Sequence, residues 1–411
     1  MRAERDTLMI EKLTKVKLRL DPVLFCLAVM LLLVQGCGPI RQEAVPPSMT
    51  AYAVIPGMED VRYRIGIDNE AIDRESIESL RREQAYLAAS GQRGPLPPTA
   101  FLAISGGGDN GAFGTGLLNG WTAAGDRPEF KLVTGISTGA LMAPFAFLGS
   151  AYDDQLKRLY TQVSPSDISI RRSLLAAITN DALADNSPLW RLIEKEVDQA
   201  LLDAIAREYE KGRLLMVGTV DLDARQVVLW NLTRIAASRD PKALPLFRSI
   251  MIASAAIPGA FPPVLIDVEA EGQPYQEMHV DGGTMSQVFV YPPKLNLREF
   301  SKQHRITRER RVYVIRNARL DPEWAQVERR TMSIAGRAIS ALIHTQGLGD
   351  LYRIFLTTQR DGVDFNLAYV PPSFNAPHPE EFDPDFMRAL YQTGYDMAVK
   401  GFPWAKRPPG F

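Results

Sequence analysis

The hydrophobic positions fall into three regimes along the chain. A continuous apolar run extends from Val23 to Val34 with no internal period. Residues 38–98 are mostly polar, opened by Pro46-Pro47 and closed by Pro95, Pro97 and Pro98, which interrupt any regular element. Within them, Ala71 to Ser90 is charged and helix-permissive, with Ile72, Ile77, Leu80 and Leu87 as a thin apolar stripe. That pattern predicts a tether carrying one surface helix.

From Thr99 onward apolar runs alternate with apolar helical stretches. Phe101 to Ile104 is a short run of the buried-strand type. A helical pattern carrying Ala112, Phe113, Leu117, Leu118 and Trp121 follows it, then a strand over Phe130–Ile136 and a helix over Ala140–Leu148. Short connections between these elements predict an α/β fold with a mostly parallel central sheet and helices on both faces. Ser187-Pro188 starts a helix that runs toward Gly212. Leu214–Val220, Val227–Trp230, Met278–Val280 and Val312–Ile315 read as further strands. Residues 324–357 read as helix, and Asp383-Pro384 opens a last helix that Gly401 closes. The alternation never pauses, so residues 99–411 are expected to form a single domain.

Composition narrows the class. The 411 residues are 46% hydrophobic and 23% charged with a net charge of -1, which leaves no basic excess for a nucleic-acid partner. Arg2, Arg5, Lys12, Lys15, Lys17 and Arg19 precede the apolar run, which is too short to span a bilayer as a helix. It ends in Leu33-Val34-Gln35-Gly36-Cys37, a segment similar to a bacterial lipobox. Residues 1–37 are therefore expected to be a signal peptide, with Cys37 lipidated as the new N-terminus. The competing reading is a short buried helix or an uncleaved anchor. Cys26 lies inside the run, so the mature chain would keep no free thiol. Gly38 follows Cys37, and by similarity to other bacterial lipoproteins the expected address is the outer membrane of the cell envelope. Without the leader the chain is slightly acidic, so the acyl group would have to hold it at the membrane.

Candidate chemistry lies at three places. Gly135-Ile136-Ser137-Thr138-Gly139 is a G-x-S-x-G pattern between an apolar strand and an apolar helix. A sharp turn there lifts a serine hydroxyl clear of the backbone. Ser105-Gly106-Gly107-Gly108-Asp109-Asn110-Gly111 fits G-x-G-x-x-G after a strand. A dinucleotide site needs an acidic residue at the end of the next strand, and that strand ends in Gly135-Ile136-Ser137 instead. The run is better suited to aiming glycine amides at a developing oxyanion. Asp281, in Val280-Asp281-Gly282-Gly283, sits at a strand end where a hydroxyl could approach it, although Asp-Gly is also a common turn signal. His279, His304, His344 and His378 have no motif around them, and neither they nor the cysteines have metal-ligand spacing.

The glycine run at 106–111, the serine elbow at 135–139 and Asp281-Gly282-Gly283, in that order, resemble the patatin-like phospholipases. Ser254-Ala255-Ala256-Ile257-Pro258 through Phe261-Pro262-Pro263 resembles that family's segment before its aspartate. The resemblance covers roughly residues 99–290. It implies a lipid acyl hydrolase with a Ser137–Asp281 dyad, no histidine and no cofactor. Its oxyanion hole would comprise Gly106, Gly107 and Gly108, and its substrate would be a lipid acyl ester. Asn110 stands where the family often carries Arg or Lys. Residues beyond about 300 match no motif. An α/β-hydrolase triad using His304, His344 or His378 is the rival catalytic reading, and a catalytically dead lipid-binding lipoprotein is the other.

Residues 164–186 mix Ile168, Ile170, Leu174, Leu175, Ile178 and Leu183 with Arg171 and Arg172. They predict either a loop with one packed helix or an apolar flap over the serine. For the leader, Cys37→Ser is expected to abolish acyl-label incorporation and stall processing. A wild-type chain that takes up no label and fractionates as soluble would exclude the anchor.

Overall fold

The computed structural model describes residues 41–173 and 180–411. The leader with Cys37, and Leu174, Leu175 and Ile178 of the expected flap, lie outside the described residues. Nine described strands form one sheet: β1 (Arg62–Arg64), β2 (Thr99–Ile104), β3 (Phe130–Gly135), β4 (Leu214–Asp221), β5 (Gln226–Asn231), β6 (Val264–Ala270), β7 (Gln273–Asp281), β8 (Arg310–Arg316) and β9 (Asp364–Tyr369). Their order is β1-β5-β4-β3-β2-β8-β9, with β7 also paired to β4 and β6 to β7. The helices that bear on the site are α1 (Asn69–Ala89), α2 (Gly111–Ala124), α3 (Thr138–Leu148), α4 (Ala243–Ser254), α5 (Thr331–Asp361) and α6 (Pro384–Val399).

The block β9-β8-β2-β3-β4 is parallel, as the helix-bearing connections require. The remaining strands are not, so the sheet is mixed rather than mostly parallel. For two of the four antiparallel pairs the cause is connection length. Leu222–Arg225 joins β4 to β5, and Glu271-Gly272 joins β6 to β7, both too short for a crossover. Glu271 and Gly272 have φ of 50° and 76°, the mirror-image turn that suits a two-residue hairpin.

Both faces of the parallel block are covered. Along β2, Ala100, Leu102 and Ile104 enter one apolar core with Phe113, Leu117, Phe145, Leu390 and Tyr391. Phe101 and Ala103 enter a second with Val312, Val314, Leu351, Ile354 and Phe365. The strand's period of two therefore feeds a core on each side. Residues beyond 300 are part of this arrangement, since β8 pairs with β2 and α6 lies against α2. The helical pattern after Ser187 breaks into Ser187–Glu196 and Gln199–Glu210, the second capped by the Asp198 side chain on the Leu201 N–H. Helix α5 begins at Thr331, seven residues after the expected start.

Residues 41–68 are no open tether. Val45, Ala53, Ile55, Met58 and Val61 join the main core, and β1 pairs with β5. The helix expected over 71–90 is α1, but its apolar stripe is not what docks it. Of the stripe only Leu80 is buried, together with Glu75, Ser79 and Glu83. Glu83 accepts from both Arg308 guanidinium nitrogens (3.0 and 2.9 Å) and pairs with Lys131 at 2.9 Å. Glu75 pairs with Arg82 and Arg234. Burial would raise the Glu83 pKa, but Arg308 and Lys131 outweigh it and hold the carboxyl below its ordinary value.

Glu83→Ala should leave two buried cations without their anion and cost about 3–5 kcal/mol of stability. Urea denaturation measures this, and a loss below about 1 kcal/mol would show that the cluster behaves as a solvated surface pair.

Candidate active site

Strand β3 and helix α3 meet with almost no chain between them. Only Ile136 and Ser137 separate Gly135 from Thr138, and Ser137 takes a φ of 55°, a region that a side-chain-bearing residue seldom occupies. Such a conformation costs on the order of 1–3 kcal/mol and persists only where its surroundings over-determine it. Here the Ser137 N–H donates to Ser254 Oγ (3.0 Å), and Ser254 Oγ donates to the Gly218 carbonyl (2.7 Å). The Gly139 and Ala140 N–H groups close back on the carbonyls of Ile136 and Ser137, each at 2.8 Å. A Cβ at Gly139 would stand 2.2 Å from the Ile104 carbonyl oxygen, so only glycine lets α3 start this close to β2.

Asp281 comes from the end of β7, opposite Thr219 of β4. Its N–H is held by the Ala256 carbonyl at 2.9 Å. Ser254 and Ala256, two residues apart, thus fix the backbones of Ser137 and Asp281 respectively. The Asp281 carboxyl accepts the Gly283 N–H at 2.7 Å, and the Ser137 side chain lies near enough to lower its pKa. Burial pushes this acid up to about 7, and the Ser137 side chain and the Gly283 N–H offset only part of that effect. Gly282 and Gly283 form the tight turn just beyond it.

The glycine run follows β2. A Cβ on Gly106 would lie 3.2 Å from the Ser137 Cβ, which puts the run directly beside the serine. Its three amides are not equivalent. Gly106 donates its N–H to the Gln287 carbonyl at 3.0 Å, so that amide is already spent and does not suit the oxyanion role expected of it. The Gly107 and Gly108 N–H groups have no partner among the described residues. Gly108 sits in the left-handed region with φ 58°, and Gly111 opens α2. Asp109 is buried and accepts from His378 Nε2 (2.7 Å) and from the Phe382 N–H (2.8 Å).

Several supporting residues had no signal in the sequence. Asn317 donates its N–H to Ser105 Oγ (2.9 Å) and its side-chain amide to the Ser105 carbonyl (3.0 Å), and accepts from the Gly114 N–H. Gln287 bonds the Gly283 carbonyl (2.8 Å), and Asp350 of α5 receives the Gln287 N–H (2.6 Å). Arg316, at the end of β8, reaches the Gly106 carbonyl. These residues lie between 63 and 212 positions from their partners, apart from Gln287 at four from Gly283.

Three of the four histidines are engaged elsewhere. His279 is fully buried between Thr219 (2.9 Å) and Glu277 (3.1 Å), His378 holds Asp109, and His304 lies against Phe300. Among the described residues no histidine contacts Ser137 or Asp281. Of the flap segment, Pro165–Ile168 is a short helix, and Ile170-Arg171 pairs with Ala184-Asp185 in a small ribbon. The Leu183 and Ala184 N–H groups pin that ribbon to the carbonyls of Gly259 and Ala260.

An α/β fold with a serine on a strained strand-to-helix turn is a hydrolase-type arrangement. Residues 102–293 match the family described as patatin-like phospholipase. Two solved structures show distant likeness. The first is the crystal structure of VipD from Legionella pneumophila, at 12% identity and TM-score 0.36, covering 74% of this chain and 66% of that one. The second is the crystal structure of full-length SpcU in complex with full-length ExoU from the type III secretion system of Pseudomonas aeruginosa, at 13% identity and TM-score 0.29, covering 74% of this chain and 52% of the matched chain. This chain thus spans less than two thirds of either. No curated protein matches it.

Because Asp281 ionises near 7 when folded and near 3.8 when not, the folded chain holds the extra proton across that interval. Its contribution to stability is full below pH 4 and is lost as pH rises through about 7. Asp281→Asn should therefore raise the melting temperature at pH 8 and leave it nearly unchanged at pH 4. An equal or lower midpoint at pH 8 would contradict the burial argument.

Proposed function

We propose that this protein is a serine lipid acyl hydrolase in which Ser137 attacks a carboxylic ester and Asp281 is the base. The carrying observation is Ser137 on a strained turn beside a buried carboxyl, Asp281, whose backbone is held from the same segment and whose ionisation lies near neutrality. An ordinary carboxylate is a weak base toward a hydroxyl, and burial brings its basicity toward the operating pH. Asp281 takes the Ser137 proton as Oγ bonds to the carbonyl carbon. The proton passes to the leaving alcohol as the C–O bond breaks. Water then releases the acid from the acyl-enzyme, with Asp281 again as base.

The tetrahedral oxygen is assigned to the Gly107 and Gly108 amides, the two of the three that lack a partner among the described residues. One well-placed donor of this kind is worth on the order of 3 kcal/mol. A lipid substrate is supported by the family match and by the first half of α5, where Ile334, Ile339 and Leu342 are each more than half exposed. Among the described residues no helix is long and apolar enough to cross a membrane. Attachment to the envelope would rest on Cys37, as its lipobox-like setting suggests.

Ser137→Ala and Asp281→Asn should each reduce hydrolysis of a short-chain p-nitrophenyl ester to background while the fold is retained. In the wild type, kcat/KM should rise with pH through about 7 as Asp281 ionises. Single replacement of His304, His344 or His378 should leave most of the activity. An active Asp281→Asn together with an inactive histidine variant would replace the dyad by a triad.

A further inference from the structure

Arg316 ends β8, the strand beside β2, and is 3% exposed. Among the described residues it has no carboxylate within ion-pair distance, although Asp350 lies near enough to act on it through space. Burial lowers its pKa to about 10, so it stays charged at neutral pH. Holding an unpaired guanidinium away from water is unfavourable. Even the space for it is reserved: a Cβ at Gly347 of α5 would stand 2.6 Å from an Arg316 terminal nitrogen. A leucine here would cost the fold less, so the charge needs another explanation.

Its hydrogen bonds supply one. Nη1 donates to the Gly106 carbonyl at 3.3 Å and to Gln287 Oε1 at 3.4 Å. The same Gly106 carbonyl accepts the Ser105 hydroxyl at 2.7 Å, and that hydroxyl accepts the Asn317 N–H at 2.9 Å. Gly106 C=O and Gly107 N–H belong to one peptide group. Donors on the oxygen draw electron density from the nitrogen side and make the N–H a stronger donor. The glycine run itself carries no cation, and its charged member, Asp109, is an acid.

We propose that Arg316 is a positioning residue for the oxyanion site, polarising the Gly106–Gly107 peptide from behind so that the Gly107 N–H binds the developing negative charge more strongly. This rests on the serine-hydrolase reading above. The cation reaches the reaction only through the peptide, so its effect belongs to the transition state and not to substrate binding. Ser105 is the second arm of the same device, arriving at the same oxygen without charge.

The test uses the full chain and a soluble p-nitrophenyl ester, with wild type, Arg316→Met, Arg316→Lys and Ser105→Ala compared. Arg316→Met should lower kcat by about 10- to 100-fold with KM nearly constant, somewhat less than the loss of a whole oxyanion donor. Arg316→Lys, which keeps the charge, should recover much of that loss. Ser105→Ala should show a smaller fall in kcat at constant KM, and it serves as the decisive variant if Arg316→Met does not fold. Melting curves separate these effects from simple destabilisation. Ser137-dependent hydrolysis with an unchanged kcat in folded Arg316→Met, or in Ser105→Ala where that is the decisive variant, overturns this inference alone. A loss that appears in KM, or that Arg316→Lys does not recover, also overturns it. Hydrolysis that survives Ser137→Ala overturns the serine reading and this inference with it.

Discussion

The contact on which everything else depends is between backbones, where β3 turns into α3 against the end of β2. With Gly139 lying on the Ile104 carbonyl there is no room for a side chain, and the turn can close only with Ser137 in the left-handed region. That strain is held by a buried hydroxyl, Ser254, which no apolar residue could replace as acceptor for the Ser137 N–H. The serine is exposed to its neighbours because the chain has nowhere else to put it. Local destabilisation and chemical readiness are here the same fact.

Asp281 shows the same exchange in electrostatic form. A carboxyl taken out of water and offered only a hydroxyl and one amide prefers its neutral state, which weakens the fold at neutral pH. The arrangement contrasts with Glu83, equally polar and also buried, but set between Arg308 and Lys131. One carboxylate is surrounded by cations and docks a helix. The other is kept from them and retains its basicity. Similar burial gives opposite pKa directions because the neighbours differ.

The last third of the chain acts as the support for the glycine run. β8 lies beside β2 and places Arg316 and Asn317 behind Ser105–Gly107, α5 supplies Asp350 and makes room with Gly347, and the segment before α6 supplies His378 and Phe382 to Asp109. A glycine-rich loop has high conformational freedom, so holding its amides in one direction needs contacts from outside. Those contacts come from residues scattered along the last third of the chain, so no local motif marks them.

What the sequence determined by itself was local. Strand, turn and helix around Ser137, the glycine run after β2 and the Asp-Gly-Gly turn were all legible, because each is dictated by the steric needs of a few consecutive residues. The strand at Val264–Ala270 carried an alternating pattern too, but its Glu-Gly hairpin lacks the usual asparagine or aspartate signal, and the mixed pairing of the sheet went with it. The buried face of α1 was unreadable because charge pairs, not apolar spacing, hold it, and its partners lie on β3 and before β8. Likewise the sequence pointed to the glycine amides at 106–108 without showing what else holds them. The tertiary structure decided that Gly106 is consumed by Gln287, that a cation stands behind Gly107, and that no described histidine reaches Ser137. Each of these depends on residues far apart in the chain meeting within hydrogen-bond distance, and only the folded packing sets that distance.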